Sequence, residues 1–458
     1  MPTAVLLNPY QPYALDMIAR LWRDHGVRTV ALHSDWRTRF ILEGRAPILR
    51  SSAVAAHYMV ALPDLDPVVK VLRARADVVA VVPHDEGAVL PLARIAEELQ
   101  LDWAQPLVQT FRNKGELKSL LAAAEETLRI NANVRVTSAD EVANWRRAHG
   151  IGRFVLKPND GSGNVNVAIL DADVSDAEVA AYFESASGVV LAEEFIDGDE
   201  YWVDGQIDAA GKVAVTGIGR YQRGPANGRT NLEFGAAAVP TTERNFAALR
   251  DYATAVMSAS GLRRSPFHLE AIVDDSGPCL VEVGARLCGD LLSYAESWQH
   301  GSDCDLVGQA LRQYLPDPPP PELNLDWQHY DSHLYMQVNG VQEHRIMVGE
   351  VVGFDVVEAD PSFLFWIKQP QPGDVLLPTD GLVTKPWSVV LRGADETALV
   401  RNEEFVRSTL QVLPSDATGP RARVQLARRR FGKMWSSRPR LYEFKPLLAQ
   451  RSAALRSR

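Results

Sequence analysis

The chain has 458 residues, 46% of them hydrophobic and 23% charged, an ordinary globular composition long enough for about two to four domains with separate cores. Its cysteines, Cys279, Cys288 and Cys304, are odd in number, and the N-terminus MPTAVLLNPYQ lacks the basic flank and long apolar stretch of a signal peptide. No run of about eighteen apolar residues occurs, so no membrane span is expected, and the expected location is the cytoplasm. The net charge of −10 is uneven: 421–458 hold twelve Lys or Arg against Glu443 alone, leaving a net of −21 before them. An acidic body argues against nucleic acid as substrate. The basic tail is expected to dock on that body or to form a solvated helix.

In chain order, AVLLN (4–8) reads as a buried strand, YALDMIARLWRDHG (13–26) as an amphipathic helix closed by Gly26, and VRTVALH (27–33) as the next strand. Residues 77–101 repeat the unit, with a loop Pro83-His84-Asp85-Glu86-Gly87 between strand and helix. This predicts a parallel, doubly wound α/β domain over 1–108. No G-x-G-x-x-G follows the first strand, which weighs against a dinucleotide cofactor. A helix starts near Lys114, where Asn113 can cap it and Glu116 stands three residues on, as in a capping box.

Residues 154–170, FVLKPNDGSGNVNVAIL, place one lysine at a strand end before a loop of Asn, Asp, Gly and Ser. Two readings are open: a simple hairpin turn, or a phosphate clamp in which small residues let backbone N–H groups approach an anion beside Lys157. VVLAEEFIDGDEYWVDGQID (189–208) reads as strand, turn at Asp197-Gly198, and strand. The segment 217–240 carries Arg220, Arg223, Arg229 and Glu233 among glycines and reads as a long connection. Helices are expected at 176–185 and 243–259.

FHLEAIVDDSGPCLVEVGARLCGD (267–290) is a hairpin about Asp274-Asp275-Ser276-Gly277. Centring it near 276 sets Glu270 opposite Glu282 and His268 opposite Gly284. Leu269, Ala271, Val281 and Val283 then form an apolar face, and His268, Glu270 and Glu282 a polar one. Opposed carboxylates repel unless a cation or proton lies between them. A solvated face and a Mg²⁺ site are equally open on that ground, and Arg286 close by favours the site. The proline run LPDPPPPELN (315–324) reads as an extended linker, and 325–412 as β-rich.

Taken together and in this order, the motifs resemble the ATP-grasp superfamily over roughly residues 1–310, most closely its L-amino acid ligase branch. The resemblance implies an α/β (α+β) ATP-grasp fold with a Rossmann-like first domain (1–108), a lid subdomain (109–190) and a large subdomain (191–315). A linker (316–324), a β-rich C-terminal domain (325–420) and the tail (421–458) would follow. It implies ATP and Mg²⁺ (or Mn²⁺) as cofactors and small-molecule carboxylate and amine substrates, with no nucleic acid or membrane partner, and a homodimer.

By the same resemblance, Lys114 and Lys157 contact the nucleotide phosphates, and Ser162 and Gly163 belong to the closing loop. Glu193 accepts from the adenine amino group, the backbone of Glu194 and Ile196, with Phe195 between them, holds the ring edge, and Glu200 takes the ribose hydroxyls. Glu270 and Glu282 ligate the metal, and Arg286 stabilises the transferring phosphate. From its place beside Glu270 on the polar face, His268 orients substrate or accepts the amine proton, or is a hydrogen-bonded structural histidine. Apart from the resemblance, two readings of 217–240 stay open: it folds over the acceptor site, with Arg220 at a substrate carboxylate and Glu233 near an amine, or it is a mobile surface loop. Gly284 departs from the family pattern, which often has Asn there as a further ligand. The implied reaction joins an amino acid, or a related carboxylate, to an amine through an acyl phosphate. The rivals are a carboxylase-type or purine-pathway ligase and a non-catalytic nucleotide-binding protein.

Overall fold

The computed structural model describes residues 1–34, 48, 51–62, 64–103, 107–161, 163, 165–186, 188–289 and 292–415. Ser162 and the basic tail 421–458 lie outside them. The chain divides into two units: 1–218, 247–289 and 305–323 form the first, and among the described residues 219–246, 292–304 and 324–415 form the second.

The first unit begins with a four-stranded parallel sheet. Thr3–Leu7 is flanked by Arg28–His33 and Val78–Val81, and Val54–Met59 forms the edge beyond Arg28–His33. Ala4, Val5, Leu6, Val30, Ala31 and Leu32 are fully buried, as strands covered on both faces must be. The helix Pro12–His25 starts on a proline and stops at Gly26, whose φ of +67° suits glycine. Val54–Met59 was not predicted: its side chains are half-buried or exposed beyond Val54, so it carries no clear apolar period. After Val78–Val81, Asp85 caps the helix Glu86–Glu98 by accepting from the Ala88 N–H at 2.8 Å.

A second sheet, antiparallel, runs in the order Asn133–Val136, Val190–Glu194, Phe154–Pro158, Ala168–Leu170. The helices Ala139–His149 and Asp176–Ser185 pack on it around Trp145, Phe154, Leu156 and Val179. Ser175 and Glu178 form a capping box at the second helix, where the sequence predicts one to begin. Further along, Ser265–Asp274 pairs antiparallel with Asp199–Ile207 on one side and Gly277–Gly284 on the other.

In the second unit, residues 219–226 pair with Arg229–Ala238 as a hairpin. The segment 217–240 is therefore paired strand, not the long connection expected. Asn227 and Gly228 both have positive φ, 51° and 74°, the requirement of the two-residue turn that Asn-Gly favours. Leu334–Asn339, Ser388–Gly393 and Phe363–Lys368 extend this sheet. Phe354–Ala359 and Glu396–Thr409 cover a core of Leu334, Met336, Trp366, Val389 and Leu391, so 325–412 mixes helix with the expected strand. Among the described residues no helix is long and apolar enough to cross a membrane.

Candidate functional site

The Glu270–Glu282 pairing is realised, and its register also sets His268 opposite Gly284. The hairpin gets there by a route not foreseen. Asp274 pairs with Gly277 and Ala271 with Leu280, and the register then shifts so that Val281 is an extra residue before Glu282. Leu280 rather than Val281 faces Ala271, which corrects the predicted apolar face. Such a bulge bends the strand and re-aims the side chains after it.

Lysines converge on these carboxylates. Lys114, at the first turn of the helix Lys114–Ala124, is buried, with its Nζ 3.1 Å from Glu282 Oε2 and donating to the Gly161 carbonyl at 2.5 Å. Asn113 caps this helix as expected, accepting from the Glu116 N–H at 3.0 Å. Glu116 itself turns outward to Arg135 at 2.9 Å. Lys157, at the end of its strand, reaches Glu193 Oε2 at 2.6 Å. Lys118, one helical turn beyond Lys114 and 1% exposed, pairs with the other Glu193 oxygen and donates to Asn131 Oδ1 at 2.7 Å.

Glu193 thus has each carboxylate oxygen paired with a lysine. Burial pushes the Glu193 carboxyl up, but the ammoniums of Lys118 and Lys157 more than reverse this and hold it below its ordinary value. Burial lowers Lys118 despite Glu193. For Lys157 burial also acts downward, but the Glu193 and Glu282 carboxylates outweigh it and raise it. A carboxylate shared by two buried ammoniums leaves neither cation unpaired.

The edge following Glu193 is held by its neighbours. The Glu194 carbonyl accepts from Asn131 Nδ2 at 2.9 Å and its N–H donates to the Ala132 carbonyl. Phe195 donates to the Arg153 carbonyl, and the Arg153 guanidinium lies 3.9 Å from its ring centroid. Ile196 is buried, and Glu200 lies opposite Ile272. Between them the chain must approach Val273 closely: a Cβ on Gly198 would sit 2.2 Å from the Val273 carbonyl oxygen, which explains glycine in the Asp197-Gly198 turn.

The loop after Lys157 is tied at its base rather than free. Asn159, buried, donates to Asn113 Oδ1 at 2.7 Å and accepts from the Gly115 N–H at 3.0 Å, and its carbonyl accepts from the Lys114 N–H. Arg112 donates to the Asp160 carbonyl. Gly163 has φ +68°. The loop base and the start of the lysine-bearing helix are therefore one hydrogen-bonded unit.

Arg286 does not stand alone either. Its Nε donates to Glu86, whose other oxygen receives Arg112, and its Nη1 donates to the Leu287 carbonyl at 2.8 Å. Burial pushes the Glu86 carboxyl up, but Arg286 and Arg112 overcome it and bring it down to about 2. Burial also opposes the Arg286 charge, and Glu86 restores it, leaving the guanidinium above its ordinary value. A Cβ built on Gly284 would lie 3.3 Å from Glu86 Oε2. The carboxylate of Glu86 borders the space that an Asn side chain would enter there.

His268 is buried, and its Nδ1 meets Asp204 Oδ1 at 2.7 Å while its Nε2 lies 3.5 Å from Glu270 Oε1. Burial pushes Cys288, beside it, up to about 12, a neutral thiol at pH 7. Burial works against the His268 imidazolium, but the adjoining Cys288 and Asp204 groups outweigh it and raise its pKa well above the ordinary value. With the thiol neutral, the Asp204 carboxylate is the charge we hold responsible.

Arg220 and Glu233 lie in the second unit. Arg220 is exposed on its strand, opposite Ala237. Glu233 Oε1 accepts from Lys385 Nζ at 2.9 Å and Asn339 Nδ2 at 3.1 Å, and Arg223 Nη1 lies 3.9 Å from its Oε2.

Sequence reading missed Lys118, Glu86, Arg112, Asn159, Asp204 and the grouping of Cys288 with His268. Lys118 had a signal: it recurs with Leu117 and Leu121 on the buried face of its helix, and a lysine there needs a partner. Glu86 and Asp204 find their partners only through tertiary contacts.

Residues 153–294 match the family model described as the ATP-grasp domain. The match marks an ATP-grasp domain within the chain. The chain is 25% identical over 333 residues to dapdiamide A synthase of Enterobacter agglomerans, covering 70% of this chain and 76% of that one. It superposes on an L-amino acid ligase from Bacillus licheniformis with a TM-score of 0.72 at 18% identity, over 91% of this chain and 99% of the other. A phosphoribosylglycinamide synthetase from Anaerococcus prevotii matches at TM-score 0.65 and 11% identity, over 90% and 100%. In fold the chain is similar to that L-amino acid ligase, and in sequence to dapdiamide A synthase.

Proposed function

We propose that the protein is an ATP-dependent carboxylate–amine ligase, joining an amino acid or related carboxylate to an amine or a second amino acid through an acyl phosphate. The observation that carries this reading is the facing pair Glu270 and Glu282 with Lys114, Lys157 and Arg286 gathered around it. The similarity to dapdiamide A synthase supports an amine as the second substrate. We also place the protein in the cytoplasm as a homodimer.

Glu270 and Glu282 fit a hard divalent cation: they are oxygen donors held opposite each other, and Glu282 already draws an ammonium to 3.1 Å. They would hold Mg²⁺, or Mn²⁺, which supplies charge neutralisation to phosphate oxygens. Lys114 and Lys157 bind the phosphate chain, assisted by the glycines of the loop that Asn159 anchors. The backbone from Glu194 to Ile196 borders the adenine, and Glu200 the ribose. Lys118 and Glu193 fix the position of Lys157.

In the first step a substrate carboxylate oxygen attacks the γ-phosphorus and ADP leaves. In the second, the amine attacks the acyl carbon, phosphate leaves and the amine loses a proton. Arg286, oriented by Glu86, offsets the charge on the transferring phosphoryl oxygens. His268, aligned by Asp204, orients Glu270.

The test is phosphate release from ATP across amino acids singly and in pairs, with mass spectrometry of active mixtures and Glu282→Ala as control. A product lighter by one water than its two partners is expected. Release that requires bicarbonate in place of an amine would overturn the amine assignment.

A further inference from the structure

Asp204, His268 and Cys288 form a compact group of three different donor types. One ligand atom from each lies within 4.8 Å of the others. Asp204 and His268 are 4% and 7% exposed, while Cys288 is half-buried. The group is distinct in composition from the Glu270–Glu282 pair, which offers oxygen alone.

The second oxygen of Asp204, Oδ2, is buried without a hydrogen-bond partner. An unmet carboxylate oxygen at this depth costs about 1–3 kcal/mol or more unless something cationic or hydrogen-bonding reaches it. His268 already serves the other oxygen. A divalent ion meeting Oδ2, an imidazole nitrogen and a thiolate would form a site of zero net charge: two positive charges against one carboxylate and one thiolate. That avoids the cost of burying an unbalanced ion.

We propose that Asp204, His268 and Cys288 bind a thiophilic divalent transition metal of the Zn²⁺ class. Thiolate and imidazole select such ions over Mg²⁺, which prefers oxygen alone. Small side-chain adjustments bring the three atoms to the roughly 2.0–2.3 Å bond lengths of zinc, leaving a fourth position open. Binding releases two protons to solvent, one from the Cys288 thiol and one from the His268 imidazolium. Because His268 also faces Glu270, an occupied site takes His268 away from that carboxylate, so the ion acts as a brake on the neighbouring site. The binding claim itself does not depend on which reaction that site performs.

The experiment is titration of the metal-stripped, tag-free full chain with Co²⁺, followed by absorption. A thiolate-to-cobalt charge-transfer band saturating at about one equivalent, with the visible bands of tetrahedral Co²⁺, is expected. Zn²⁺ should abolish the band and excess Mg²⁺ should leave it. Cys288→Ser should remove it, while Cys279→Ser and Cys304→Ser retain it. Asp204→Asn should weaken binding by about 10–100-fold. Absence of the band at large Co²⁺ excess, or its survival in Cys288→Ser, overturns the proposal. Should Cys288→Ser fail to fold, alkylation of Cys288 in the unsubstituted protein decides: protection by Zn²⁺ supports the site, and equal labelling with and without Zn²⁺ overturns it.

Discussion

Glu270 stands directly opposite Glu282 only because Val281 is an extra residue in its strand. From the turn to Ala271 the two strands pair in one register, and that register, continued, would have set Glu270 against Val281. The bulge exchanges an apolar neighbour for a second carboxylate. Deleting Val281 should therefore remove the bulge yet leave the two acids opposite each other, because Glu282 then follows Leu280 in the register that the turn sets. The expected result is retained divalent-cation binding by calorimetry. Loss of binding on deletion would show that the bend, and not the pairing alone, aims the carboxylates.

Removing the charge of Glu282 should separate function from stability. Glu282→Gln is expected to slow ATP-dependent phosphate release by about 10²-fold or more, the scale seen when an electrostatic contact to the reacting centre is lost. Its melting temperature should stay within a few degrees, because two facing acids repel and Lys114 keeps its contact with the Gly161 carbonyl. A large fall in melting temperature alongside unchanged turnover would reverse both assignments.

Glu86 should behave oppositely. Glu86→Gln leaves Arg286 and Arg112 facing a neutral group, and breaking a buried pair of this kind costs about 3 kcal/mol. The pH dependence has a definite sign. The folded-state carboxyl, at about 2, lies below its ordinary value of 4.5. The stabilisation is therefore fully present above pH 4.5 and is lost as the pH falls toward 2. Denaturant unfolding of wild type and Glu86→Gln should show a gap at pH 6 that closes over that window.

Gly284→Asn tests whether the position can regain the residue common in the family. The added Cβ alone comes within 3.3 Å of Glu86 Oε2, and the amide must then displace a carboxylate held by two arginines. Turnover is expected to drop at least about 10-fold through misplacement of Arg286, without tighter Mg²⁺ binding. Restored or increased turnover with a lower Mg²⁺ requirement would show that Glu86 yields.

Asn159→Ala removes the tie between the loop after Lys157 and the helix that begins at Lys114. The Gly115 N–H and the Asn113 side chain lose a buried partner, at a cost of about 1–3 kcal/mol. The kinetic signature should be a several-fold rise in KM for ATP with a smaller change in kcat, measured at saturating second substrate.

Legibility of the fold followed the physics of each segment. Strands with every side chain buried, such as Thr3–Leu7 and Arg28–His33, announce themselves as apolar runs, and Ser175 with Glu178 marks a helix start by local hydrogen bonding. Val54–Met59 pairs on one side only and carries no such pattern. Asn227-Gly228 carries a turn signal, but the arginines and glycines on either side of it break the apolar alternation that marks paired strands. At the site, Glu270, Glu282, Lys114 and Lys157 were found because each lies beside a turn or helix start with its own signal. The partners of Arg286 and His268 come from residues 200 and 64 positions away, and no local spacing encodes such distances.

The buried lysines and the acids around them cancel: Lys114, Lys118 and Lys157 are met by Glu193, Glu270 and Glu282. A polyanion entering this balanced cluster alone would leave it strongly negative, and a divalent cation entering alone would leave it positive. Each guest is best accommodated when the other is present, so their affinities must rise together and by the same factor. As the cation takes over Glu282, Lys114 is released from that carboxylate to meet the anion. Admission to the site is thus an exchange of counterions, in which the protein lends its own charges until both guests have arrived.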